Sequence, residues 1–126
     1  MSFKNKDSRK KIIYVDDITV SLIALKKALQ AYYEVYTADS VKQMYKIMSK
    51  ITPDLILLDI NMPDADGYGI IKQLKDDKQS CAIPVIFITS NSDKESVTKG
   101  LSLGAAAYVV KPFNTLKLVE TINNQL

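Results

Sequence analysis

The sequence predicts an α/β domain built on a parallel sheet of five strands, and three observations predict it. Short apolar runs of strand length alternate with stretches of helical periodicity, the pattern of successive βαβ units. Leu55-Ile56-Leu57-Leu58 is continuously apolar, as a strand covered on both faces requires, and it is too short for a buried helix. Four of the five runs then end in a functional group: Asp16-Asp17, Asp59, Thr89 and Lys111.

Composition bounds the function. At 126 residues, with 47% hydrophobic and 25% charged residues, the chain has the size and balance of one soluble domain with its own core. No apolar run reaches membrane-spanning length and no signal peptide precedes the first strand, so a cytoplasmic protein without a membrane span is expected. The single cysteine, Cys81, leaves no internal disulfide and fits a reducing compartment. The absence of histidine excludes His-based triads and His-ligated metals, and any phosphohistidine must come from a partner. The net charge of +3 is misleading: Lys4, Lys6, Arg9, Lys10 and Lys11 crowd the start against Asp7 alone, whereas the remainder holds 12 basic and 13 acidic residues. Residues 1–10 therefore read as a basic, disordered tail before a domain over 11–126, and the folded part is no nucleic-acid surface by charge.

The elements follow in order. Ile12-Ile13-Tyr14-Val15 is the first strand; the helix after it sets Ile18, Leu22, Leu25 and Leu29 on one stripe. Glu34 to Ala38 is a weaker strand suited to the sheet edge. Ser40 and Gln43 form a capping box for a helix with Met44, Ile47 and Met48 inward, and Pro53 precedes the central strand. After Pro63, the loop Asp64-Ala65-Asp66-Gly67 leads into a helix carrying Ile70, Ile71 and Leu74, whose early Gly67 and Gly69 make a deformable first turn. Val85-Ile86-Phe87-Ile88 is the fourth strand. Ser92 and Glu95 form a second capping box, for a helix over 93–103 that Gly100 softens. Ala107-Tyr108-Val109-Val110 is the fifth strand, and Asn114 caps a last helix with Leu116, Val119 and Ile122 inward.

Parallel strands deliver their ends to one edge, where open α/β sheets bind ligands. Three carboxylates gathered there would repel, raising the pKa of at least one unless a cation intervenes. A hard divalent ion resolves this, and Mg²⁺ takes one or two carboxylates plus water and phosphate oxygens. Lys111 and Thr89 suit the equatorial oxygens of a phosphoryl group. The three aspartates and the lysine carry −2 together, so a bound Mg²⁺ leaves the site neutral toward an anion.

With these residues in order, the chain resembles the receiver domains of two-component response regulators, the chemotaxis receivers among them, over residues 11–126. The motifs are Asp16-Asp17, Asp59-Ile60-Asn61-Met62-Pro63 with Gly67, Thr89 after an apolar strand, and Lys111-Pro112-Phe113. The resemblance implies a (βα)5 doubly wound, flavodoxin-like sheet in the order 2-1-3-4-5, with helices on both faces. It implies that Asp59 accepts a phosphoryl group from a phosphohistidine of a sensor kinase or histidine phosphotransfer protein. Asp17 and Asp59 would ligate Mg²⁺ (Mn²⁺ could substitute), Asp16 acting partly through water and the Asn61 backbone carbonyl completing the set. Thr89 and Lys111 would bind the phosphoryl oxygens, and the Lys111–Pro112 peptide is usually cis in the family. Thr89 and Tyr108 match the switch pair that acts on a partner-binding face. Such a domain catalyses only its own phosphorylation and dephosphorylation, as a monomer or a phosphorylation-dependent dimer. Its output is a downstream protein, or a further domain if the chain belongs to a longer regulator.

Two departures from the family pattern are small. Ser90 stands where Ala is most common, and Gly69 where a better helix former is expected. Competing readings fail on named residues. A haloacid-dehalogenase-type phosphatase needs a second Asp two residues after the nucleophile, where Asn61 stands. A flavodoxin would need a hydroxyl- and glycine-rich loop where Asp16-Asp17-Ile18 would repel its phosphate. An EF-hand over Asp64 to Gly67 would put Met62 and Gln73 at ligand positions. A phosphorylation-independent interaction module of the same fold stays open, disfavoured because every residue needed for phosphorylation is present.

Overall fold

The computed structural model describes residues 9–62, 65–90 and 93–126. Most of the basic tail, Pro63, Asp64 and the expected cap Ser92 lie outside the described residues. Arg9 and Lys10, grouped with the tail in the sequence reading, are bonded to the domain: Arg9 donates to the Gln30 carbonyl, and the Lys10 carbonyl accepts from the Glu34 N–H.

Five strands form one parallel sheet: β1 (Lys11–Val15), β2 (Glu34–Ala38), β3 (Leu55–Leu58), β4 (Val85–Thr89) and β5 (Ala107–Val110). Their spatial order is 2-1-3-4-5, with β2 at an edge and β3 at the centre, as expected. Helices α1 (Thr19–Leu29), α2 (Val41–Met48), α3 (Gly67–Asp76), α4 (Lys94–Ser102) and α5 (Thr115–Asn123) make the crossovers and the C-terminal element. Strand alternation divides the core in two. Ile13, Val15, Ile56, Leu58, Val85 and Phe87 pack with Met44 of α2 and Ile70, Ile71 and Leu74 of α3. Ile12, Tyr14, Leu55, Leu57, Ile86 and Ile88 pack with Leu22, Leu25 and Leu29 of α1 and Leu118 and Ile122 of α5.

Helix starts follow their caps. The Ser40 side chain accepts from the Gln43 N–H, but the Gln43 side chain reaches back to the Asp39 N–H, one residue before the cap. Asp93, not Ser92, caps α4: its carboxylate accepts from both the Ser96 N–H and the Ser96 hydroxyl. A carboxylate offers two oxygens and a charge to the positive end of the helix, which favours Asp93 over a hydroxyl. Helix α4 ends in a Schellman turn, with Gly104 at φ +109°, its N–H on the Leu101 carbonyl and the Ala105 N–H on the Gly100 carbonyl.

Several expectations need correction. Ile18 is the uncapped N-cap of α1 and is exposed, so the buried stripe starts at Leu22. In α5 Leu116 is exposed and Leu118 is buried instead. Two three-residue steps carry Leu116 about 120° around the helix from Ile122, whereas Leu118 sits one turn before it. The loop after β3 contains a short antiparallel ribbon, Asn61–Met62 against Ala65–Asp66, that the sequence did not suggest. Asp66 then caps α3 through the Tyr68 N–H. The glycines also have different reasons. A Cβ on Gly67 would lie 2.6 Å from the Ile60 Cα, and one on Gly100 would lie 2.8 Å from the Phe87 ring. Close approach explains both, whereas nothing lies within 4 Å of a Cβ built on Gly69.

Candidate functional site

The sheet register assembles the site. Val15 pairs with Leu58, so Asp16 and Asp59 leave adjacent strands side by side, and the Asp59 N–H bonds the Val15 carbonyl at 3.0 Å. Thr89 pairs with Val110, and the Lys111 N–H bonds the Thr89 carbonyl at 2.7 Å. Gly67 holds the far side: its missing side chain lets α3 press its first turn against the Asp59–Ile60 backbone. Asp16, Asp59 and Thr89 are buried, and Asp17 is half-buried.

Asp16, Asp17 and Asp59 each offer an oxygen within 4.8 Å of the others. Lys111 Nζ enters this cluster at 2.7 Å from Asp16 Oδ2 and 3.5 Å from Asp59 Oδ2. Asp16 also accepts from the Tyr14 hydroxyl at 2.5 Å on Oδ2 and from the Ile18 N–H at 3.0 Å on Oδ1. Burial alone would raise the Asp16 pKa, but the Lys111 and Tyr14 donors and the Ile18 N–H outweigh it. Its carboxyl is held below the usual carboxylate range. The expected repulsion therefore does not raise Asp16, because the protein supplies its own cation and donors. Burial, then the bond to Asp16 and the nearby negative charges, push the Tyr14 hydroxyl far above the usual tyrosine range.

The donor set fits a hard divalent cation. Asp17 Oδ1 is buried with no hydrogen-bond partner, an arrangement that costs free energy unless something ligates it. Asp16, by contrast, has donors on both oxygens. Asp16 is thus turned toward Lys111 and Tyr14, and Asp17 Oδ1 is left for a cation. Asn61 follows Asp59 by two residues in the ribbon.

Asp16, Asp17, Asp59, Thr89 and Lys111 thus lie at one edge of the sheet, and the Lys111–Pro112 peptide is cis. Tyr108 lies further back, on β5 opposite Phe87, with ring centroids 6.1 Å apart, edge to face. Burial and the neighbouring Tyr68 and Asp93 push its hydroxyl up to about 12. Tyr68, missed by sequence reasoning, completes an aromatic cluster: its ring lies 5.7 Å from Phe87, and its hydroxyl donates to the Ser96 carbonyl of α4 at 3.1 Å. Lys99 sits 4.4 Å above the same ring. Tyr14 was missed as well, although strand alternation puts it on the same face as Asp16, two residues on.

Known proteins are similar to this chain in sequence and fold. A probable cyclic di-GMP phosphodiesterase of Vibrio cholerae is 36% identical over 115 residues, covering 91% of this chain and 26% of the relative. The chain spans a quarter to a half of the length of the first curated relatives it matches. The chemotaxis protein CheY4 of Vibrio cholerae superposes with a TM-score of 0.86 at 30% identity, over 94% of this chain and 99% of that one. The BeF3-activated receiver domain of DrrB, a Thermotoga maritima protein, superposes with a TM-score of 0.82 at 32% identity, over 93% and 97%. The sequence pattern of the response regulator receiver domain matches residues 12–123, nearly the whole chain. With the five-stranded fold, these matches make the chain a receiver domain of the two-component response regulators.

Proposed function

We propose that Asp59 is the phosphoacceptor of this receiver and that Mg²⁺, or Mn²⁺ in its place, is its cofactor. The observation that carries the reading is the meeting of Asp16, Asp17, Asp59 and Lys111 at one sheet edge, with Asp17 Oδ1 buried and unpartnered. Asp17, Asp59 and the Asn61 carbonyl would hold the ion, Asp16 contributing through water. The ion supplies Lewis-acid polarisation of phosphoryl oxygens and neutralises the carboxylates.

The chain's own groups do the rest. An Asp59 oxygen attacks the phosphorus of a phosphohistidine on a sensor kinase or phosphotransfer protein. The P–N bond breaks and the imidazole leaves as the new acyl phosphate forms. Lys111 shifts its ammonium from Asp16 toward the phosphoryl oxygens, and the Thr89 hydroxyl moves to donate to another, so charge developing there meets two donors. Thr89 movement opens space into which Tyr108 turns, and the face of α4, β5 and α5 becomes the output surface. This is self-modification of a signalling domain, not turnover of an external substrate. A cytoplasmic location and an output through a partner protein or a further domain belong to the same reading, as does action as a monomer or a phosphorylation-dependent dimer. No described helix is long and apolar enough to cross a membrane.

Mass spectrometry after incubation with Mg²⁺ and acetyl phosphate tests the assignment. One phosphoryl group is expected on the native chain, none after chelation of the metal, and none on Asp59→Asn or Asp59→Ala. Unchanged incorporation in both variants would overturn it.

A further inference from the structure

Lys111 is engaged before any phosphoryl group arrives. Its ammonium is 2.7 Å from Asp16 Oδ2 and 3.5 Å from Asp59 Oδ2, so its resting partner is Asp16. Asp16 is fully buried, and a buried carboxylate stripped of a donor is costly. How readily Lys111 leaves therefore depends on what else holds Asp16 Oδ2. That second holder is the Tyr14 hydroxyl, at 2.5 Å on the same oxygen. Tyr14 is buried in the core beneath α1 and α5, so its ring cannot swing away and water cannot readily replace it. Its place on β1, two residues before Asp16, fixes the geometry through the strand alternation alone.

We propose that Tyr14 is a positioning residue that keeps Asp16 satisfied while Lys111 transfers to the phosphoryl group. The inference rests on the reading of Asp59 and Lys111 given above. With the hydroxyl in place, Oδ2 keeps a short, charge-assisted hydrogen bond when the ammonium leaves. In Tyr14→Phe, the departing ammonium would bare a buried carboxylate oxygen, so Asp16 holds Lys111 more tightly and the anion competes less well. Cation binding depends far less on Oδ2 of Asp16, because the ion is held mainly by Asp17, whose buried Oδ1 has no hydrogen-bond partner to give up. The signature is a split: anion affinity falls while cation affinity does not.

The test titrates Mg²⁺ and then beryllofluoride in saturating Mg²⁺ on the whole chain, followed by amide chemical shifts. In Tyr14→Phe, Mg²⁺ affinity is expected to be retained or raised, and half-saturation by beryllofluoride to require about tenfold more, the scale of one lost hydrogen bond to a buried charge. The substitution keeps the ring, and thermal melting reports that the core survives. Because Tyr14 acts only through Asp16, adding Tyr14→Phe to Asp16→Asn should change beryllofluoride affinity no further. In the metal-free protein the Asp16 carboxyl carbon resonance should move in Tyr14→Phe. Equal weakening of both ligands, unchanged beryllofluoride affinity, an additive loss in the double variant or an unmoved Asp16 resonance would each overturn the proposal. Failure of native protein to bind beryllofluoride at Asp59 would instead overturn the function proposed above.

Discussion

On the α1 and α5 side of the sheet, the groups at the carboxyl edge are tied by short polar bonds: Tyr14 and Lys111 on Asp16, with the Ile18 N–H behind them. On the α3 and α4 side the neighbours are rings: Tyr68, Phe87 and Tyr108 meet edge to face above Gly100. Both sides lie within a few residues of Asp59, but they resist movement differently. A buried charge with directional donors has one good geometry, and leaving it costs the full desolvation of the bare group. Packed rings lose contacts gradually and regain them in a second arrangement. The polar side is thus suited to hold chemistry still, and the aromatic side to carry a displacement toward α4.

Several substitutions would break or sharpen this comparison. The largest effect is expected where the two sides share a backbone. Gly67→Ala would drive a methyl group to 2.6 Å from the Ile60 Cα, against backbone that cannot rotate away. Its cost should be about 3 kcal/mol, the upper range of overpacking, with displacement of Asp59 and loss of phosphorylation. Urea unfolding and phosphoryl incorporation measure the two; a neutral substitution would mean that α3 does not position the acceptor. Lys111→Met comes next. It keeps the stem and removes the cation from buried Asp16, which retains two donors, so about 2 kcal/mol of stability should go. The same change in Asp16→Asn protein should cost much less, and equal costs would show that the pair is not what Lys111 stabilises.

The smallest effects are in pH. Asp16 has a depressed folded pKa, so its contribution is present above the ordinary carboxylate pKa, about 4, and is lost as acid titrates the folded form. Tyr108 has a folded pKa raised to about 12. Its contribution is present below the unfolded tyrosine pKa, about 10, and fades as pH rises through the folded value. Urea midpoints against pH should therefore show an acid limb flattened by Asp16→Asn and an alkaline limb flattened by Tyr108→Phe. Limbs that ignore these substitutions would place the coupling elsewhere.

Much of the architecture was legible because it rests on period and position. The apolar run Leu55 to Leu58 could only be a central strand, and strand ends fixed which side chains would meet. What escaped the sequence depends on packing partners in three dimensions. Ile18 and Leu116 look like core residues in a stripe, but the start of each helix sets its phase, and both face outward. Gly100 reads as a weak point in a helix until Phe87 is found where a Cβ would go. Tyr14 reads as strand filler, and only the pleat and the depth of Asp16 turn it into a donor at the site.

That the polar cluster at the sheet edge holds the chemistry while the aromatic cluster beside α4 carries the displacement is tested most directly by amide chemical shifts with Mg²⁺, with and without beryllofluoride. Changes are expected around Asp17, Asp59 and Lys111 that continue through α4 and β5, over residues 93–110, while the amides of the buried α1 residues Leu22, Leu25 and Leu29 stay in place. Changes confined to the three loops, with residues 93–110 untouched, would contradict it.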